Sequence, residues 1–235
     1  MALFSLLMDK QTISKQRIAD HGEVFTSQRE VAAMLDLVKQ ETQRLDSRFL
    51  EPACGTGNFL TEILKRKLQV VEKRYRKSQL EFERHQVLSV SSIYGIDILK
   101  DNIIECRKRL FEVIDKSYTA LFKKKTKPEV LNAVQFILEK NIIWGDALSL
   151  NTVGATPRQI IFSEWSFPFN NSQLKRRDFV FAELLPDEPN KRKQLDLFSA
   201  NEHVSDFGEE VFLATETQSY PPIHFIRVGE AKHHD

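Results

Sequence analysis

The chain has 235 residues, 41% of them hydrophobic and 29% charged, with a formal net charge of +1. That supplies a core for one domain with or without an appendage, and it excludes a polyelectrolyte that holds nucleic acid by bulk charge alone. Two cysteines, Cys54 and Cys106, lack His or Cys partners at ligand spacing, so neither a disulfide framework nor a metal site is expected, and no apolar run reaches membrane-spanning length.

Residues 1–25 read as an irregular arm with a short helix. Thr26 or Ser27, with Glu30 three or four positions on, predicts a helix N-terminus. Val31, Met34, Leu35 and Val38 then mark one helical face, and the helix is expected to end near Asp46. Residues 48–51 predict a short buried strand, and a tight turn at 52–57 leads into a helix carrying Leu60, Ile63, Leu64, Leu68 and Val71. The charged stretch 72–84 is expected to be exposed. Residues 92–98 predict a second strand. Asp101 or Asn102 can cap a helix with Ile103, Ile104, Leu110 and Val113 on its apolar side, and Pro128 opens another. Residues 141–146 and 159–163 predict a third and a fourth strand. Beyond Trp165 the pattern weakens: 178–184, 210–214 and 223–228 are candidate strands, and 186–203 reads as a linker.

Alternating strands and helices predict an α/β fold, a mostly parallel sheet flanked by helices with the strand C-termini on one edge, where ligands bind in open sheets. The expected divisions are an arm and closing segment at 1–27, a core at 28–170 and a poorly defined extension at 171–235. Two basic clusters, Lys123-Lys124-Lys125 with Lys127 and Lys175-Arg176-Arg177, read as solvated faces, with a phosphate track as the sharper alternative. The protein is expected to be soluble and cytoplasmic.

The turn Gly55-Thr56-Gly57 sits between a predicted strand and a predicted helix. Glycines there permit positive φ and close approach of a ligand, and the helix start offers free N–H groups to an anion. The ten residues Glu51-Pro52-Ala53-Cys54-Gly55-Thr56-Gly57-Asn58-Phe59-Leu60 resemble the cofactor loop of adenine-N6 DNA methyltransferases of restriction–modification systems. Leu60 stands where a dinucleotide fingerprint has its third glycine. The resemblance implies a Rossmann-like methyltransferase fold, possibly incomplete, and S-adenosyl-L-methionine as cofactor, with no metal.

Other segments extend the resemblance over roughly residues 14–165. Gly22-Glu23-Val24-Phe25-Thr26-Ser27 resembles the segment that closes over the cofactor, with Ser27 where the family usually has proline. Tyr94-Gly95-Ile96-Asp97-Ile98 resembles the second strand, which implies that Asp97 accepts from the ribose hydroxyls, beside Ile98. Trp144-Gly145-Asp146-Ala147-Leu148 resembles the third, which implies that Asp146 accepts from the adenine amine, with Ala147 or Leu148 near the ring. The implied cofactor-binding set is Phe25, Thr26, Glu51, Pro52, Ala53, Gly55, Gly57, Asn58, Phe59, Asp97, Ile98, Asp146 and Ala147. The implied partners are double-stranded DNA with a flipped base and a specificity or nuclease subunit, with no membrane.

The family's catalytic tetrapeptide, Asn or Asp, then Pro-Pro, then Tyr or Phe, is absent after the third strand. The chain instead runs Ser163-Glu164-Trp165-Ser166-Phe167. Two readings stand: a variant site in which Glu164 is the acceptor and Trp165 or Phe167 the stacking ring, or a chain that has lost the motif and cannot methylate by itself. Three functions follow: adenine-N6 DNA methyl transfer, S-adenosylmethionine binding without catalysis, and methyl transfer to RNA or protein.

Overall fold

The structure, a computed structural model, describes residues 26–169, 171–185, 203–204, 210–211 and 216–230. The first helix, α1 (Gln28–Asp36), opens with a reciprocal cap: Glu30 N–H donates to Ser27 Oγ (3.3 Å) and Ser27 N–H to Glu30 Oε2 (3.0 Å). Val31 and Leu35 face inward. The helix does not continue to Asp46. Leu37 and Val38 N–H groups bond three residues back, to Met34 and Leu35, which tightens and ends the helix. A four-residue α2 (Lys39–Thr42) follows.

Strand β1 (Phe49–Glu51) precedes the glycine turn and α3 (Asn58–Tyr75). Next come α4 (Gln79–Ser91), β2 (Ile93–Asp97), α5 (Lys100–Phe122), α6 (Pro128–Asn141), β3 (Ile142–Asp146) and β4 (Asn151–Thr152). Helix α4 corrects the expectation of a charged, exposed stretch over 72–84. Phe82 and Glu83 are fully buried there, Glu83 because Lys127 Nζ (2.8 Å) and the Tyr118 hydroxyl satisfy its carboxylate.

The main sheet runs β1-β2-β3-β4, the first three parallel and β4 antiparallel to β3. Its pleat separates two cores. Phe49, Ile93, Ile142 and Trp144 join the large cluster made with the helices. Tyr94, Ile96 and Ile143 point the other way and meet Ile160, Phe162 and Phe181. This second face is covered by an antiparallel sheet, not by helices.

That second sheet contains β5 (Ile161–Ser166) and β6 (Gln173–Val180), paired from Ile161↔Val180 to Ser166↔Lys175. The fourth strand is thus longer than expected, and its partner strand starts earlier than 178. Strands β7 (His203–Val204) and β8 (Glu210–Val211) pair with each other. Strands β9 (Gln218–Ser219) and β10 (Ile223–His224) pair with β6, and a 3-10 turn over Phe225–Glu230 buries Phe225 and Val228 beside α6. Residues 216–230 are therefore bound to β6 and α6, while 203–204 and 210–211 pair with each other. The molecule is α/β with a mixed, mostly parallel sheet, and no helix among the described residues is long and apolar enough to cross a membrane.

Candidate functional site

The glycine turn joins the C-terminal end of β1 to α3. Cys54 N–H donates to Ile96 O and Gly57 N–H to Cys54 O, both at 2.8 Å, which folds the turn back on β2. The two glycines are required for different reasons. Gly57 has φ +84°, and a Cβ there would sit 2.6 Å from Cys106 Sγ on α5. Gly55 has φ +51°, but a Cβ there would meet nothing within 4 Å. One glycine admits the protein's own helix; the other borders open space.

Gly57 is also the N-cap of α3, and no side chain caps that end. Among the described residues nothing accepts from the first N–H groups of this eighteen-residue helix. Glu51, the last residue of β1, is half-buried, and burial pushes its carboxyl above the usual range. The Cys54 thiol is pushed up by the adjacent Cys106 thiol and by burial. Pro52 and Ala53 are exposed beside the turn, and Phe59 packs on the helical core.

Asp97 ends β2 beside this turn. Its Oδ2 accepts Gly55 N–H (2.8 Å), and its Oδ1 accepts Leu99 N–H (2.8 Å) and the Asn102 amide (3.2 Å). The carboxylate therefore braces the turn and the start of α5. Oδ2, with one donor, retains a lone pair. The pairing Asp97↔Trp144 places Asp146 two residues farther toward the same edge of the sheet. Asp146 Oδ1 accepts Leu148 N–H (3.0 Å) and Oδ2 accepts Ser149 N–H (3.3 Å), and the Ser149 hydroxyl first, then the Leu148 N–H, hold its carboxyl below the usual range. Ile98 is half-exposed and its carbonyl accepts Trp144 Nε1 (2.9 Å). Ala147 lies half-buried against the second core.

From the closing segment, Thr26 O accepts Asn58 Nδ2 (3.1 Å); Phe25 lies outside the described residues. Asn58 and the turn are held in common by Arg109 of α5. Its Nη1 donates to Thr56 O (2.7 Å), Thr56 Oγ1 (2.9 Å) and Asn58 Oδ1 (2.8 Å). Arg109 has no sequence signal except its place one turn after Cys106, because its partners lie some fifty residues upstream.

Glu164 and Trp165 are elsewhere. Strand β5 runs against the parallel strands: Ile160 meets Ile96, the Tyr94 hydroxyl donates to Ser163 O (3.0 Å), and Trp165 Nε1 donates to Asn141 Oδ1 (2.9 Å). Asn141 in turn bonds Ser91 O and Ile93 O, where β2 begins. Trp165 is thus buried at the edge opposite the glycine turn. The Glu164 carboxylate is taken by Arg48 and Arg177. Neither side chain meets the turn, because they sit inside a paired strand of opposite direction.

The second basic cluster is likewise spent internally. Arg176 is buried against Asp178 (2.6 Å) and Arg177 pairs with Glu164 and Glu216. In the first, Lys127 pairs with Glu83, while Lys123, Lys124 and Lys125 form an exposed turn.

The chain matches no protein-family model, no curated protein and no solved structure.

Proposed function

We propose that the chain binds S-adenosyl-L-methionine at residues 51–59 and serves an adenine-N6 DNA methyltransferase of the restriction–modification or phage-defence kind. The observation that carries the reading is Gly55, which adopts positive φ beside open space next to an uncapped helix start. A turn built only for its own packing has no need of that space, whereas a ligand pressed against the backbone does. Asp97, Ile98 and Asp146 line the same edge, as recognition of a nucleoside requires. The uncapped N–H groups would hold the carboxylate, Glu51 would face the amine, Asp97 Oδ2 a ribose hydroxyl and Asp146 the adenine amine. When bound, the cofactor supplies an electrophilic methyl group on sulfonium sulfur.

The position of Glu164 and Trp165 favours the second reading, a cofactor-binding subunit that needs a partner for catalysis. Both side chains are committed to internal bonds away from the turn. Among the described residues strand β1, which carries the turn, is also an edge strand, so the crevice has one strand wall there, β2. A specificity or nuclease subunit that also engages DNA would complete it.

Incubation with methyl-labelled cofactor and duplex DNA, with and without the products of neighbouring genes, tests the assignment. Label on adenine N6 only when a partner is present is the expected result. Label on DNA with the chain alone would reinstate Glu164 as an acceptor. Label on RNA or protein instead of DNA would move the substrate class, and no transfer in any mixture would leave a binding protein.

A further inference from the structure

Arg109 is half-buried, and none of its hydrogen bonds goes to a carboxylate. Arg107 on the same helix also bonds only neutral carbonyls, those of Glu139 and Ile142, whereas elsewhere arginines are neutralised: Arg66 by Glu62 and Asp36, Arg176 by Asp178, Arg177 by Glu164. Arg109 instead spends one Nη on three neutral oxygens of the turn that opens α3, at 2.7–2.9 Å. A partly buried cation held by neutral acceptors, with no carboxylate of the described residues at ion-pair distance, costs desolvation energy. Its charge stands beside the uncapped helix N-terminus, so its field adds to that of the helix.

We propose that Arg109 is a positioning residue for the anionic end of the ligand, acting through Thr56 and Asn58 and through its charge. This deepens the cofactor reading of the turn. Clamping the Thr56 carbonyl toward α5 fixes the peptide between the two glycines, and Asn58, gripped on Oδ1 by Arg109, passes the restraint to Thr26 through Nδ2. The ligand chemistry selected is a carboxylate next to an adenosine, not the adenosine itself.

Calorimetric titration of the full chain with two compounds separates these ends. S-adenosylhomocysteine carries the carboxylate; 5′-methylthioadenosine lacks the whole amino-acid portion. The expected result is that Arg109→Gln weakens S-adenosylhomocysteine by about tenfold or more but 5′-methylthioadenosine by no more than about twofold, with ten-fold corresponding to about 1.4 kcal/mol. Arg109→Lys, which keeps the charge and loses the planar fork, recovers part of the loss, and its melting temperature shows that the fold survives. Equal weakening of both compounds, or wild-type affinity for S-adenosylhomocysteine in Arg109→Gln, would overturn the proposal while leaving the cofactor reading intact. A wild-type chain that binds neither compound would remove both.

Discussion

The two edges of the parallel sheet use polar groups in different ways. Where the strands begin, several such groups are spent inside the protein, although a cavity of about 340 Å³ lined by Arg48, Arg84, Ser92 and Trp165 also opens there. Lys67 is fully buried, with its Nζ on Leu45 O (3.2 Å), Ser47 O (2.5 Å) and Ser92 Oγ (2.5 Å), and Asn141 ties Trp165 to the start of β2. Where the strands end, the described residues leave a helix start without a side-chain cap, a glycine facing open space and an arginine with no carboxylate at ion-pair distance. The first edge ties its buried Lys67 and Asn141 to neighbours, and the second keeps donors over among the described residues. Polar residues alone therefore do not mark a site; the bonds left unmade do.

The largest expected effect breaks the first edge. Lys67→Met leaves Ser47 O without its donor and Leu45 O with only Ser92 Oγ, and should cost about 2–4 kcal/mol, read as a lower midpoint in urea. Ligand affinity below that midpoint should be unchanged. Burial lowers the Lys67 pKa from 10.5 to about 7. Between these values the unfolded chain binds the extra proton, so the contribution of this group to stability rises as pH climbs from about 7 toward 10.5 and is at its lowest below 7. The wild type should gain in urea midpoint across that window and Lys67→Met should not. A parallel pH dependence in both would place the titration on another group.

A middle-sized effect separates the two glycines. Gly57→Ala must push Cys106 aside and hold positive φ, so it should destabilise by roughly 2–3 kcal/mol. Gly55→Ala carries only the conformational cost, about 1 kcal/mol, yet should weaken S-adenosylmethionine binding the more specifically because its Cβ enters the open space. Calorimetry and thermal melting of both variants read the contrast, and a Gly55→Ala chain with full affinity would mean that the space is not the ligand's. The smallest effect is expected at Trp165→Phe: loss of the bond to Asn141 should cost about 1–2 kcal/mol, with no change in methyl transfer by the assembled enzyme relative to folded protein. A selective loss of transfer there would restore Trp165 to the chemistry.

Local features were legible in the sequence. The Ser27–Glu30 cap, the three parallel strands and the glycine turn each rest on residues a few positions apart, and they lie where spacing put them. What escaped depended on distant partners. Glu83 looks like a surface charge until Lys127 and Tyr118 are brought to it. The run 160–165 is apolar enough to be a strand of either direction, and only its pairing with β6 turns it against β1–β3 and carries Trp165 to the edge where those strands begin. Arg109 is one of many charges on a helix, and its meaning comes from Thr56 and Asn58. Phe25 lies outside the described residues and adds nothing to this comparison.

The most direct measurement is equilibrium binding of S-adenosylmethionine to the full chain by calorimetry, beside a Gly55→Trp variant whose bulk fills the open space at the turn. The account predicts one site per chain in the wild type and no heat in the variant, with both proteins melting cooperatively. A wild-type chain that gives no heat, or a variant that binds as tightly, would contradict it.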